Sequence, residues 1–236
     1  MTIYFKNMDI VVPGDIIARG DYKIIEGAYK LGDMIVAEVI GIVYIKDKNI
    51  KVVPLEGSYY IPKVGDIIVG KIVDYNPVSW SVDIRAPYLA RLEASDYLGR
   101  PIDPSRENIN RFLDVGDLVI AKVAVTDRST NPQLVAYGKG LGKITGGKIV
   151  YVAPPKIPRI LGRNQSMIKM IRDITKADIK VGNNGVIWVK ARNKELEELV
   201  IGTILKIERE SHIPGLTERV REFLVNGMKK LELGDK

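Results

Sequence analysis

Apolar and polar residues alternate over short stretches through the first part of this chain, and Gly, Asp, Asn or Pro interrupts the alternation every few residues. A period of two predicts short, half-buried strands separated by turns. In residues 1–62 it predicts strands at Ile10–Val12, Met34–Val43 and Ile50–Pro54. In residues 63–146 it predicts five more, at Asp66–Asp74, Trp80–Ile84, Ala90–Glu93, Leu118–Val125 and Leu134–Tyr137. Gly-Asp followed by apolar residues recurs at Gly14-Asp15, Gly32-Asp33, Gly65-Asp66 and Gly116-Asp117. Each copy reads as a turn feeding a strand. Glycine supplies the open backbone angle, and aspartate bonds the turn's own amides.

Beyond residue 146 the period changes. Lys148–Val152 still reads as a strand, Ile157–Leu161 as a short helix, and Ser166–Lys176 as a helix with Met167, Ile168, Ile171 and Ile174 on one face. Ile179–Val181 and Val186–Lys190 flank Gly182-Asn183-Asn184-Gly185, a tight-hairpin signal read as a structural turn. Glu195–Ser211 is a long amphipathic helix, Pro214-Gly215 breaks it, and Leu216–Leu231 forms a last helix.

These elements imply a multi-domain chain. Residues 1–62 form a β-rich N-terminal domain, a sandwich or half-barrel. Residues 63–146 give five strands with a long connection between the third and fourth, the pattern of an OB-fold barrel. Residues 147–236 run β, α, α, β, β, α plus one helix, the order of an α/β KH domain with an extra C-terminal helix. Gly138–Lys148 reads as a flexible junction. Gly142 to Lys148 fits Gly-x4-Gly-Lys, but Ile149 stands where Ser or Thr must hold magnesium, so a phosphate loop is set aside.

Composition narrows the function. Cysteine is absent and His212 is the single histidine, which excludes disulfides and argues against a zinc site. No apolar run reaches a membrane span and no leader pattern opens the chain, so a cytoplasmic location is expected. The net charge of +7 is uneven: residues 1–147 hold 18 basic and 18 acidic residues, whereas residues 148–190 hold nine basic against two acidic. Such an excess suits either a polyanion-facing surface or a solvated face. Acidic residues such as Asp66, Asp74 and Asp83 fall at turns and strand ends, and no catalytic set stands out.

Four stretches carry a family resemblance: Val11-Val12-Pro13-Gly14-Asp15; Gly65 to Ile72 with Trp80 to Ile84; Ile160-Leu161-Gly162-Arg163-Asn164-Gln165-Ser166-Met167-Ile168; and Gly182 to Val189. In that order they resemble the archaeal RNA exosome cap subunit with N-terminal, S1 and KH domains. The resemblance implies a non-catalytic subunit without cofactor or metal. Its partners would be single-stranded RNA and a hexameric ring of RNase PH-like phosphorolytic subunits carrying three caps, and it would guide RNA into the ring for 3'-to-5' decay. An S1/KH transcription or translation factor is the alternative.

S1-type barrels stack bases on aromatics and hold phosphates with Lys or Arg. The RNA-binding candidates are therefore Arg85, Tyr88, Arg91, Lys122 and Arg128, with Arg163 in the KH loop. Trp80 alternates with Val82 and Ile84, which makes it either core or a stacking platform. The KH loop departs from Gly-x-x-Gly, since Gln165 replaces the second glycine and disfavours positive φ. Either the domain is structural, or Lys156, Arg159, Arg163, Lys169 and Arg172 attract phosphates there without reading sequence.

Overall fold

The structure is a computed structural model, which describes residues 2–54, 59–127, 130–211, 213 and 215–234. It divides into two compact units, Met1–Ser58 and Tyr59–Lys236.

The first unit holds β1 (Thr2–Ile3), β2 (Ile10–Val11), β3 (Ile16–Arg19), β4 (Lys23–Glu26), β5 (Ala28–Leu31), β6 (Met34–Ala37), β7 (Gly41–Lys46) and β8 (Asn49–Pro54). They form two four-stranded sheets, ordered β1-β3-β6-β5 and β2-β7-β8-β4. Alternate residues point into a shared core of Val11, Ile17, Ile35, Val43, Ile50 and Val52. The predicted strand Met34–Val43 is two strands: β6 ends at Ala37 and β7 starts at Gly41 in the other sheet. Gly32-Asp33 closes a two-residue hairpin in which Leu31 pairs with Met34.

The second unit opens with a barrel: β9 (Ile67–Asn76), β10 (Ser79–Asp83), β11 (Ala90–Glu93), helix α1 (Ala94–Leu98), a 3-10 turn at Ile109–Arg111, β12 (Leu118–Val125), β13 (Gln133–Val135) and β14 (Gly142–Ile144). Strands β9-β10-β11-β13-β12 pair in turn and β12 returns to β9, which closes five strands into an OB-like barrel. The β11–β13 pair is parallel. Ile68, Ile72, Trp80, Val82, Leu92, Val119, Val123 and Leu134 fill it. The 97–113 connection plugs one end with Ile109 and Leu113. Trp80 is fully buried, donates Nε1 to the Leu113 carbonyl at 2.9 Å and meets Tyr97 edge-on at 5.5 Å. The core reading of Trp80 is therefore the right one, because its polar edge finds a partner inside the plug.

Part of the expected flexible junction is a strand. β14 pairs antiparallel with β12, Leu118 opposite Ile144, and extends the barrel sheet. Three-residue strands carry too little period to show in sequence.

The KH domain follows: β15 (Lys148–Tyr151), α2 (Ile157–Leu161), α3 (Ser166–Thr175), β16 (Asp178–Val181), β17 (Val186–Lys190), α4 (Lys194–Arg209) and α5 (Leu216–Gly234). Its antiparallel sheet is ordered β15-β17-β16. Helices cover one face through Ile160, Ile168, Ile171, Ile187, Val189, Val200, Ile204 and Leu224. The Asn193 side chain accepts from the Leu196 amide at 3.1 Å and caps α4.

β17 is buried along Val186-Ile187-Trp188-Val189 because both its faces are covered. Helices cover one; on the other, Val186 packs against barrel residues Val69 and Ile120. A continuous apolar run is the mark of a strand covered on both sides.

Candidate nucleic-acid interface

Three of the four Gly-Asp turns share one device. The carboxylates of Asp15, Asp66 and Asp117 accept from the amides of Val12, Lys63 and Asp114, three residues back, at 2.9, 3.2 and 2.8 Å. At Asp117 burial favours the neutral acid, but the Asp114 amide and the Lys143 ammonium, 2.5 Å away, outweigh it and hold the carboxyl below its ordinary range. Asp66 does more. It also accepts from Tyr60 Oη at 2.7 Å and, through its other oxygen, from Asn183 Nδ2 at 3.0 Å. Burial first, then the Asp66 hydrogen bond, pushes the Tyr60 hydroxyl far above the ordinary tyrosine range.

Asn183 and Asn184 join the KH hairpin to the barrel. The Asn183 amide donates to the Ile67 carbonyl at 2.7 Å. Asn184 is fully buried; its Oδ1 accepts from Val69 N at 3.3 Å, and its Nδ2 donates to the carbonyls of Val69 at 2.8 Å and Ile84 at 3.0 Å. The hairpin approaches β9 so closely that a Cβ on Gly182 would stand 2.8 Å from Val69 N. The turn is thus structural, as expected, and it also fastens one domain to another.

Arg85 lies at this junction. It follows β10 with φ of 56°, donates Nη1 to the carbonyls of Val152 and Gly185 at 3.4 and 3.3 Å, and lies over the Tyr151 ring at 4.8 Å. Nη1 is thus engaged by protein carbonyls, while the residue as a whole stays exposed.

The remaining described candidates are exposed as well. Arg91 is the second residue of β11, flanked by Ser81 of β10 and Gln133 of β13, with Glu93 at 3.4 Å. Lys122 is exposed on β12, opposite Val135 of β13. Gln133 and Val135 are two apart, so Arg91 and Lys122 stand on adjacent rows of the outer β11-β13-β12 surface. Tyr88, also exposed, precedes β11 by two residues. Arg128 and His212 lie outside the described residues.

Arg163 is exposed on the KH loop. Gly162 has φ of 72° and ψ of 172°, a region open only to glycine, and a Cβ there would meet the Met167 amide at 2.8 Å. Asn164 and Gln165 follow at φ of 52° and 61°. Gln165 therefore adopts the left-handed angle a second glycine would take, secured by its amide bonding to the Gly162 carbonyl at 3.1 Å. The loop keeps its turn despite the substitution. Among the described residues no group of three or more His, Cys, Asp or Glu side chains could hold a metal ion.

Residues 8–56 match the family model described as the exosome RNA binding protein RRP4 N-terminal domain, residues 59–125 the RRP4 S1 domain, and residues 147–195 a KH domain. The exosome complex component Rrp4 of Pyrococcus furiosus is 44% identical over 232 residues, covering 98% of this chain and 88% of that protein. The chain belongs to the Rrp4 family of exosome components. The Rrp4 of Sulfurisphaera tokodaii is also 44% identical, over 94% of this chain and 90% of its own length. A solved structure described as an exosome complex RNA-binding protein, 38% identical, covers 73% of this chain with a TM-score of 0.68.

For this Rrp4-family chain, sequence reasoning missed the Asp66–Asn183 and Val69–Asn184 bonds between barrel and hairpin. One signal was present. A tight hairpin needs a single Asn-Gly, and the additional Asn183 has work elsewhere.

Proposed function

We propose that the chain is a non-catalytic, RNA-binding cap subunit of an exosome. It collects single-stranded RNA on its S1 barrel and guides it into the pore of a hexameric ring of RNase PH-like phosphorolytic subunits for 3'-to-5' decay. The observation that carries this reading is the ordered set of Rrp4 N-terminal, S1 and KH matches in a chain alike to Rrp4 over nearly its whole length. The barrel supplies the chemistry: Arg91 and Lys122 stand on neighbouring outer rows for phosphates, and Tyr88 offers a ring for a base. Stacking one base on such a ring is worth about 1–3 kcal/mol. Arg128 stays a candidate on its sequence alone, and Arg163 gives phosphates a second point of attraction on the KH loop. Arg85 is assigned to the domain junction instead.

The barrel holds 11 basic and 10 acidic residues, so one copy presents little net field. Three copies per ring, turning these faces to one opening, would concentrate it. A cytoplasmic location goes with this reading. The experiment is fluorescence anisotropy of the full chain with unstructured RNA, repeated with Tyr88→Ala. Tight binding by the wild type and a loss on the order of tenfold in the variant are expected. No binding by the wild type contradicts the reading.

A further inference from the structure

The alternation of β13 runs past its last residue. Leu134 and Ala136 are in the barrel core, whereas Gln133 and Tyr137 are exposed and Val135 is half-buried between them. Alternate residues share a face. Tyr137 therefore stands on the same outer surface as Gln133, which is opposite Arg91, and Val135, which is opposite Lys122. It is one row, about 7 Å, beyond Val135. Tyr88 lies at the other end of this stripe, three residues before Arg91.

Tyr137 is 62% exposed, yet its ring has a built seat. A Cβ on Gly99 would stand 2.5, 2.6 and 2.7 Å from its Cε2, Cδ2 and Cζ atoms. Near-equal distances to three adjacent ring atoms mean that Gly99 meets a face of the ring, not its edge. Only glycine leaves room for that contact, and Gly99, with φ of 70°, is also the left-handed cap of α1. The backbone is held from the same helix: the amides of Ala136 and Tyr137 both donate to the Asp96 carbonyl at 3.0 Å. Next to Gly99, Arg100 closes the 97–113 connection on itself, with two guanidinium nitrogens on Glu107 at 2.8 and 2.6 Å. An aromatic ring fixed in this way loses little freedom when a ligand arrives. Exposed Lys139 follows two residues on, in the glycine-rich stretch that failed as a phosphate loop.

We propose that Tyr137 is a second base-stacking platform of the barrel. It takes a base further along the strand that Tyr88 engages, with Arg91 and Lys122 holding phosphates between the two rings and Lys139 a phosphate beyond. The inference rests on the RNA-binding reading above and extends its footprint to the α1 end of the barrel. Three residues separate Tyr88 from Arg91 and four separate Gln133 from Tyr137, so the two tyrosines are at most about 23 Å apart along the stripe. One OB fold covers about 4–16 nucleotides, which leaves room for both platforms on one strand.

The test uses the full chain and two single-stranded oligoadenylates, of about 4 and about 16 nucleotides, with affinity read by anisotropy. Tyr137→Leu keeps an apolar cover on Gly99 and removes the ring. It should weaken the long strand by on the order of tenfold and the short strand, which Tyr88, Arg91 and Lys122 hold alone, by less than about threefold. Tyr137→Phe should restore wild-type affinity for both, since stacking needs the ring and not the hydroxyl. If the wild type binds and Tyr137→Leu matches it on both strands, the platform is overturned and the RNA-binding reading stands. Equal losses on the two strands, or a loss that Tyr137→Phe does not restore, overturn it as well, because the residue then acts through the fold or its hydroxyl. If the wild type binds neither strand, both readings fall.

Discussion

The Asn184 carboxamide pairs with the backbone of Val69 as another strand would, accepting from its N–H at 3.3 Å and donating to its carbonyl at 2.8 Å. β10 ends at Asp83, which is paired with Lys71, two residues further along β9. Asn184 takes up the strand edge that β10 leaves open and so prevents buried polar groups from going unpaired. Replacing Asn184 by Ala strands Val69 N–H, Val69 C=O and Ile84 C=O. A loss on the order of 3 kcal/mol is expected, since each buried orphan costs about 1–3 kcal/mol. Chemical denaturation measures it. A loss below about 0.5 kcal/mol would show that water replaces the side chain.

Arg85 and the pair Arg91 and Lys122 should separate stability from RNA binding. Arg85→Ala removes two long hydrogen bonds and the cation–π packing on Tyr151. It is expected to cost about 1 kcal/mol of stability and leave the salt dependence of RNA binding unchanged. Arg91→Ala with Lys122→Ala should leave stability nearly unchanged. It should flatten the slope of log affinity against log salt by about 1.4, at roughly 0.7 for each single-strand phosphate no longer neutralised. Titrations at several salt concentrations compare the variants; a flattened slope for Arg85→Ala contradicts its assignment to the junction.

The KH loop gives a pair of opposite effects. Gly162→Ala forces a Cβ against the Met167 amide at a backbone angle only glycine reaches. It should destabilise by at least about 2 kcal/mol. Gln165→Gly relieves a left-handed angle costing about 1–2 kcal/mol, offset in part by glycine's greater chain entropy. The net expectation is a slight stabilisation, seen as a raised thermal midpoint. A fall would mean that the Gln165 side chain holds the loop.

Two carboxylates should set an acid limb of stability. Glu210 is held below its ordinary range, first by Lys206 at 2.5 Å and then by Arg219 at 2.9 Å, which ties α4 to α5. Asp117 is also lowered. A carboxyl lowered on folding contributes its stability in full above the unfolded pKa. It loses that stability as pH falls through the folded value. The thermal midpoint should therefore drop below about pH 4, the ordinary carboxylate range, and Glu210→Gln should drop less over that interval. Parallel curves for variant and wild type would remove Glu210 from the account.

Local pattern made much of this architecture legible. Strand β11 (Ala90–Glu93), strand β12 (Leu118–Val125) and helix α2 (Ile157–Leu161) begin and end where residue period and turn chemistry place them. Trp80 alternates with Val82 and Ile84 and is core with them. Long-range partners were not legible. Arg85 reads as a loop arginine with no partner until Gly185, 100 positions on, is folded beside it. Asn184 reads as turn chemistry until Val69, 115 positions back, arrives. The doubled asparagine hints that the hairpin has a partner, but nothing within a few residues of Arg85 or Asn184 says which segment it is. Strand β14 was missed because glycines dominate its surroundings and only its pairing to β12 makes it a strand.

The most direct test of the central claim is co-purification. The tagged full-length chain, recovered under native conditions from the cells that produce it, would be analysed by mass spectrometry for its stoichiometric partners. The account predicts RNase PH-like subunits of a phosphorolytic ring in stable, near-stoichiometric amounts. Recovery with RNA polymerase or ribosomes, and without those subunits, would contradict it.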